Sequence, residues 1–151
     1  MGQTCVCLAV LAFAALAWTA AASDDPKYPS IPHNELLAAV QSKSVTLLDC
    51  NGTKTFKAGR IPGALDFQAV KGSLQASLPA DTNALIVAYC GSETCGAYRA
   101  GADAAAALGY TNIRRYAPGI KGWKAANAPV ETATAEAPLG TCPPGPCCAK
   151  P

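Results

Sequence analysis

The chain has 151 residues, half of them hydrophobic, with 12 basic and 10 acidic side chains and a formal charge of +2. That suffices for one domain with a real core, and a near-balanced charge spread along the chain gives no nucleic-acid footprint. With a single histidine, no Ser-His-Asp set and no Gly-x-x-x-x-Gly-Lys run, serine-hydrolase and P-loop chemistry are set aside.

Residues 1–22 contain the apolar run CVCLAVLAFAALAW, followed by small residues and then Asp24-Asp25. This is the apolar core and small-residue cleavage pattern of a secretory signal peptide. The expectation is a mature start near Ser23 and an exported, periplasmic or extracellular protein. No Lys or Arg precedes the run, so a retained membrane anchor is the alternative, and only then is a membrane a partner.

DDPKYPSIP (24–32) has three prolines, and residues 23–32 are read as a linker leading into a domain over 33–131. HNELLAAVQS (33–42) places Leu36, Leu37 and Val40 at helical spacing. VTLLD (45–49) is an apolar run ending in an acid, short enough for a buried strand. GTKTFKAGRIPG (52–63) predicts one helical turn and a loop, ALDF (64–67) a short strand, and AVKGSLQASL (69–78) a helix. ALIVAY (84–89) is the strongest strand signal. GAYRAGADAAAALG (96–109) predicts a helix with Gly109 in the stop position. NIRRYA (112–117) predicts a strand and GIKGWKAAN (119–127) a last helix with Trp123 on its inner face. Strands alternating with helices imply an α/β fold with a parallel sheet covered on both faces. Residues 132–151, rich in Ala, Thr, Pro and Cys, are expected to form a disordered tail.

Cleavage would leave six of the eight cysteines: Cys50, Cys90, Cys95, Cys142, Cys147 and Cys148. An even count in an oxidising compartment suggests a disulfide framework, but the domain is large enough to fold without staples and the cysteines cluster in one loop and the tail. Cys90 ends the strongest strand, just before a helix. In an open parallel sheet, ligands bind beyond the carboxyl ends of the strands. A strand-to-helix loop can turn successive amides inward, and the helix dipole adds positive potential. The expectation is that the amides of Gly91 to Gly96 converge on the Cys90 sulfur and lower its pKa from about 8.5 toward neutrality or below.

Several segments in order resemble the rhodanese family. VTLLDCNGTKTFKAGRIPGAL resembles its Leu-Leu-Asp-Val-Arg segment and following Gly-His-Ile-Pro-Gly-Ala turn. LPADTNALIVAYC resembles the strand that delivers its catalytic cysteine, and LGYTNIRRYAPGIKGWKAANAPV its closing segment. The likeness runs from about Asn34 to Val130. It implies a rhodanese-like central parallel sheet flanked by helices, and a sulfurtransferase whose cysteine, here Cys90, carries sulfane sulfur as a persulfide. It also implies a small sulfur donor (thiosulfate or a persulfide), a thiol acceptor, and neither cofactor nor metal. The substrate-binding loop would be Gly91, Ser92, Glu93, Thr94 and Gly96, with Cys90 and Cys95 as catalytic candidates. The six residues from Cys90 to Cys95 match the loop length of the sulfur-transferring members and not the longer loop of phosphatase-like relatives.

The departures bear on the donor. Thiosulfate-using members often close this loop with an arginine, where Cys95 stands here, and Glu93 adds a negative charge. A neutral or protein-bound persulfide donor is therefore favoured over thiosulfate. Arg99, one turn on, is read as a solvent-facing helix residue in preference to one reaching back to the loop. Cys95 has three readings: a structural residue, the partner of Cys90 in a disulfide, or a thiol that resolves a Cys90 persulfide, with a redox or resolving role preferred.

Asp49 is expected to accept hydrogen bonds from a neighbouring loop, and Arg60, in place of the family histidine, to fix its turn. Cys50 reads as an inert buried thiol, His33 as a cap of the first helix, and Tyr110 and Trp123 as core aromatics. Cys142, Cys147 and Cys148 read as one tail disulfide; soft-metal binding and sulfur acceptance are the other readings. The alternative to an enzyme is a module that keeps the fold without turnover, as a redox couple with a protein partner or as a sulfur or metal carrier.

Overall fold

Four short segments run side by side in one direction: β1 (Thr46–Asp49), β2 (Leu65–Asp66), β3 (Ile86–Tyr89) and β4 (Ile113–Tyr116). They form a parallel sheet in the order β2-β1-β3-β4. A computed structural model of the protein describes residues 25–133. The expected signal peptide (1–22) and the tail cysteines Cys142, Cys147 and Cys148 lie outside the described residues.

Parallel sheets bury both faces, and β3 is buried at every position. Ile86 and Ala88, with Leu48, point into one apolar layer; Val87 and Tyr89, with Leu47, point into the other. The first layer is closed by α3 (Phe67–Val70), α4 (Leu74–Ser77) and α5 (Tyr98–Ala107). The second is closed by α1 (His33–Gln41), α2 (Thr53–Ala58) and α6 (Gly119–Ala125), with Trp123 fully buried at its centre. The buried stripe of α5, Tyr98, Gly101, Ala102 and Ala105, follows helical spacing. A Cβ on Gly101 would lie 2.7 Å from the Cys50 sulfur, so glycine there lets α5 close onto the end of β1.

This is the α/β architecture expected from the sequence, a parallel sheet covered by helices on both faces, with local differences. The helix expected over 69–78 is two short helices, because Gly72 and Ser73 break it. The segment read as a linker is packed: Tyr28 and Ile31 are buried. It lies against the β4 edge, where Ile31 N–H donates to the Arg115 carbonyl (2.9 Å) and Arg115 N–H to that of Pro29 (3.0 Å). Prolines lack the amide a strand donates; here Pro29 contributes only its carbonyl, so the proline content is compatible with docking.

Candidate functional site

The ladder from Asp49 through Tyr89 to Tyr116 sets the carboxyl ends of three strands level, and Cys90 is the first residue beyond β3. Its carbonyl accepts from the Ile120 amide (2.9 Å) and that of Gly91 from the Lys121 amide (3.2 Å). This close approach needs Gly119, whose φ is +60° and whose Cβ would stand 2.8 Å from Gly91 C and Ser92 N and nearer still to the Cys90 oxygen. The start of the loop thus rests flat on the first turn of α6. The chain then reverses, the Cys95 amide donating to the Ser92 carbonyl at 3.1 Å, with Ser92 Oγ and Thr94 Oγ1 3.3 Å apart. The reversal brings Cys95 over Cys90. Glu93, Thr94 and Gly96 are exposed; Gly91, Ser92 and Cys95 are half-buried.

Cys90 is 2% exposed, and its thiol donates to the Cys95 carbonyl at 2.9 Å. Burial, the Cys95 side chain and its charge push the Cys90 thiol up to about 11, against the pull of the Tyr98 and Ser92 amides. The expected pKa depression at Cys90 is therefore corrected. The amides do not converge on one sulfur: those of Gly91 and Ala97 serve Cys95. Although burial works against its thiolate, Cys95 is held below the ordinary thiol range by the Cys90 thiol and those two amides. Of the two thiols, the outer one is favoured as the anion. Cys50, Cys90 and Cys95 are all free thiols.

Cys95 also lines a recess of about 310 Å³, together with Glu93, Thr94, Arg99, Arg115 and Asp25. Arg99 is not a plain solvent-facing residue. Its Nε donates to Asp25 Oδ2 at 2.9 Å, and its Nη1 lies 3.8 Å from where a Gly96 Cβ would be, placing a cation at the loop rim. The Tyr98 hydroxyl (2.6 Å), the Lys27 amide and Arg99 hold the Asp25 carboxyl well below the usual carboxylate range. Around Cys95 the recess presents two acids, Asp25 and Glu93, and two arginines, Arg99 and Arg115, whose charges balance one another. Asp25, Arg115 and Gly119 were not found by sequence reasoning; Pro118-Gly119, at a strand-to-helix junction, was the only local signal.

The surrounding residues brace the loops. Asp49 accepts from the Asn51 amide, Asn51 Nδ2 and the Tyr89 hydroxyl, each at 2.8 Å. Burial and Asp49 raise the Tyr89 pKa, keeping its hydroxyl a donor, while its oxygen accepts from Ile61 N–H at 3.2 Å. Arg60 pairs with Glu131, which also accepts from the Gly63 amide, fixing the Ile-Pro-Gly turn. Burial pushes the Cys50 thiol up to about 12, making it inert. His33 does not cap α1 by its side chain; its Nδ1 lies 2.8 Å from the Tyr116 hydroxyl and its ring packs on Trp123. Tyr110 is buried with its hydroxyl on the Pro79 carbonyl. Among the described residues, no three His, Cys, Asp or Glu side chains gather as metal ligands. No helix among them is long and apolar enough to cross a membrane.

The family described as Rhodanese-like domain matches residues 32–126, and the chain belongs to it. Among solved structures, a rhodanese-like domain from Anabaena sp. is 21% identical, with a TM-score of 0.56 over 74% of this chain and 86% of its own. A rhodanese-related protein from Thermoplasma volcanium is 20% identical, with a TM-score of 0.53 over 69% of this chain and 98% of its own. A Bacillus halodurans protein is 20% identical, with a TM-score of 0.51 over 71% and 78%. At this identity the likeness shows the fold. No curated protein matches the chain.

Proposed function

We propose that the protein is an exported sulfurtransferase in which Cys90 carries sulfane sulfur, as a persulfide, from a small donor to a thiol acceptor. The observation that carries this reading is the placement of Cys90 at the carboxyl end of β3, buried beneath a loop whose far end brings a second free thiol over it. In transfer, a cysteine thiolate attacks the outer sulfur of RS–SH, RS⁻ leaves with the electron pair, and Cys90–S–SH results. An acceptor thiolate then takes that sulfur and restores Cys90. The Ser92 and Tyr98 amides, the latter at the first turn of α5, are donors suited to the anionic forms. A recess that presents side chains of both signs, Asp25 and Glu93 with Arg99 and Arg115, suits a persulfide carrying both ammonium and carboxylate groups, such as that of glutathione, better than the purely anionic thiosulfate.

The test is the mass of the loop peptide after the reduced protein meets glutathione persulfide and, separately, thiosulfate. A gain of one sulfur that disappears on adding a thiol supports the reading. No gain with either donor overturns it. Cys90→Ser should retain no sulfur at position 90, since a serine hydroxyl does not form the nucleophilic anion there. Export is tested by intact mass from the native host, where a start near Ser23 is expected and retention of residues 1–22 points to an anchor.

The contact between the Cys90 thiol and Cys95 favours one second reading, a Cys90–Cys95 thiol–disulfide couple that docks a redox protein. It predicts a loop peptide two hydrogens lighter under mild oxidation and no sulfur loading.

A further inference from the structure

The loop separates its two thiols by depth. Cys90 is 2% exposed, its S–H is engaged with the Cys95 carbonyl, and it is not among the residues lining the recess beside the loop. Cys95 lines that recess, next to the Arg99 cation at the rim. A donor approaching from this side meets the Cys95 sulfur before the Cys90 sulfur. The outer thiol is also the one beside the Gly91 and Ala97 amides, which favour its thiolate against the cost of burial. An accessible thiolate above a buried thiol divides the work: the outer sulfur attacks and the inner one receives.

We propose that Cys95 is the first acceptor of sulfur and passes it inward to Cys90, with the recess lined by Asp25, Glu93, Arg99 and Arg115 seating the donor. This rests on the sulfurtransferase reading above. In the first step the Cys95 thiolate attacks the outer sulfur of RS–SH, the donor S–S bond breaks, and RS⁻ leaves, giving Cys95–S–SH. In the second, Cys90 gives its thiol proton to RS⁻, and its sulfur attacks the outer sulfur of Cys95–S–SH. The bond from Cys95 to that sulfur breaks, Cys90–S–SH forms, and Cys95 returns as the thiolate. The sum is RS–SH plus Cys90–SH giving RSH plus Cys90–S–SH, with no oxidant or reductant. The donor class suited to the recess is a small persulfide with a carboxylate for Arg99 and an ammonium for Glu93.

The experiment follows sulfur by residue. The reduced full chain is mixed with glutathione persulfide, quenched with an alkylating agent at increasing times, and the loop peptide fragmented to place the added sulfur. Sulfur on Cys95 before Cys90 is expected in the wild type. Cys90→Ser should load Cys95 and keep the sulfur there, and Cys95→Ser should load Cys90 at least about tenfold more slowly. Cys95→Ala, with circular dichroism on each variant, separates this from misfolding. Loading of Cys90 in Cys95→Ser at the wild-type rate overturns the relay and leaves the sulfurtransferase reading standing. Absence of sulfur from either cysteine in the wild type overturns both.

Discussion

The Cys90 thiol donates to the Cys95 carbonyl at 2.9 Å, so the two ends of the loop face each other. A buried inner thiol gives its proton up late, and a half-exposed outer thiol with two amides beside it gives it up early.

That order sets the pH dependence. Loading needs a thiolate, so its rate grows as pH rises through the pKa of the attacking thiol. With Cys95 held below the ordinary range, loading of the wild type should level off below about pH 8.5. In Cys95→Ser the remaining thiol is Cys90, which burial still raises although the upward push of the Cys95 side chain is gone, so loading should level off at higher pH than in the wild type. Stopped-flow loading across pH reads both, and identical profiles would contradict the assignment.

Gly119 holds the loop against α6. Alanine there takes a left-handed φ of +60° and puts a methyl 2.8 Å from two backbone atoms of Gly91 and Ser92. Gly119→Ala should cost about 2–4 kcal/mol, read by denaturant unfolding, and should lower sulfur loading. Unchanged stability would mean that the loop rests elsewhere.

Arg99 supplies charge at the recess, and its side chain is 60% exposed, so its ion pair with Asp25 contributes little to stability. Arg99→Ala should raise KM for glutathione persulfide by about 3–10-fold and leave KM for an uncharged alkyl persulfide unchanged. Equal effects on both donors would indicate displacement of the loop and not loss of charge.

The site's rigidity also depends on α5 lying close to β1. Gly101→Ala brings a methyl to 2.7 Å from the Cys50 sulfur and should cost about 1–3 kcal/mol. Cys50→Ala in the same chain should recover most of it, because it removes the atom that is struck. Additive losses in the double variant would place the conflict elsewhere.

The sheet and the position of Cys90 were legible because IVAY is apolar at successive positions and buried on both faces. Cys90 then falls at the strand's carboxyl end by chain order alone. What was not legible depends on distant partners. PKYPSIP reads as a linker until Tyr28 and Ile31 are seen to be buried and Pro29 to accept from Arg115. Arg99 looks like a solvent-facing residue because its partner, Asp25, lies 74 residues away. The division of the loop amides between two sulfurs follows from the reversal at Ser92–Cys95, which residue types do not specify.

Whether Cys90 holds transferable sulfur is read most directly by a single-turnover chase. The protein is loaded with isotopically labelled glutathione persulfide, freed of excess donor, and mixed with a small thiol. Labelled sulfur is expected to leave Cys90 and appear on the acceptor as a persulfide in one-to-one amount, and Cys90→Ser to deliver none from that position. Label that never reaches Cys90, or that stays there when the thiol is added, would contradict it.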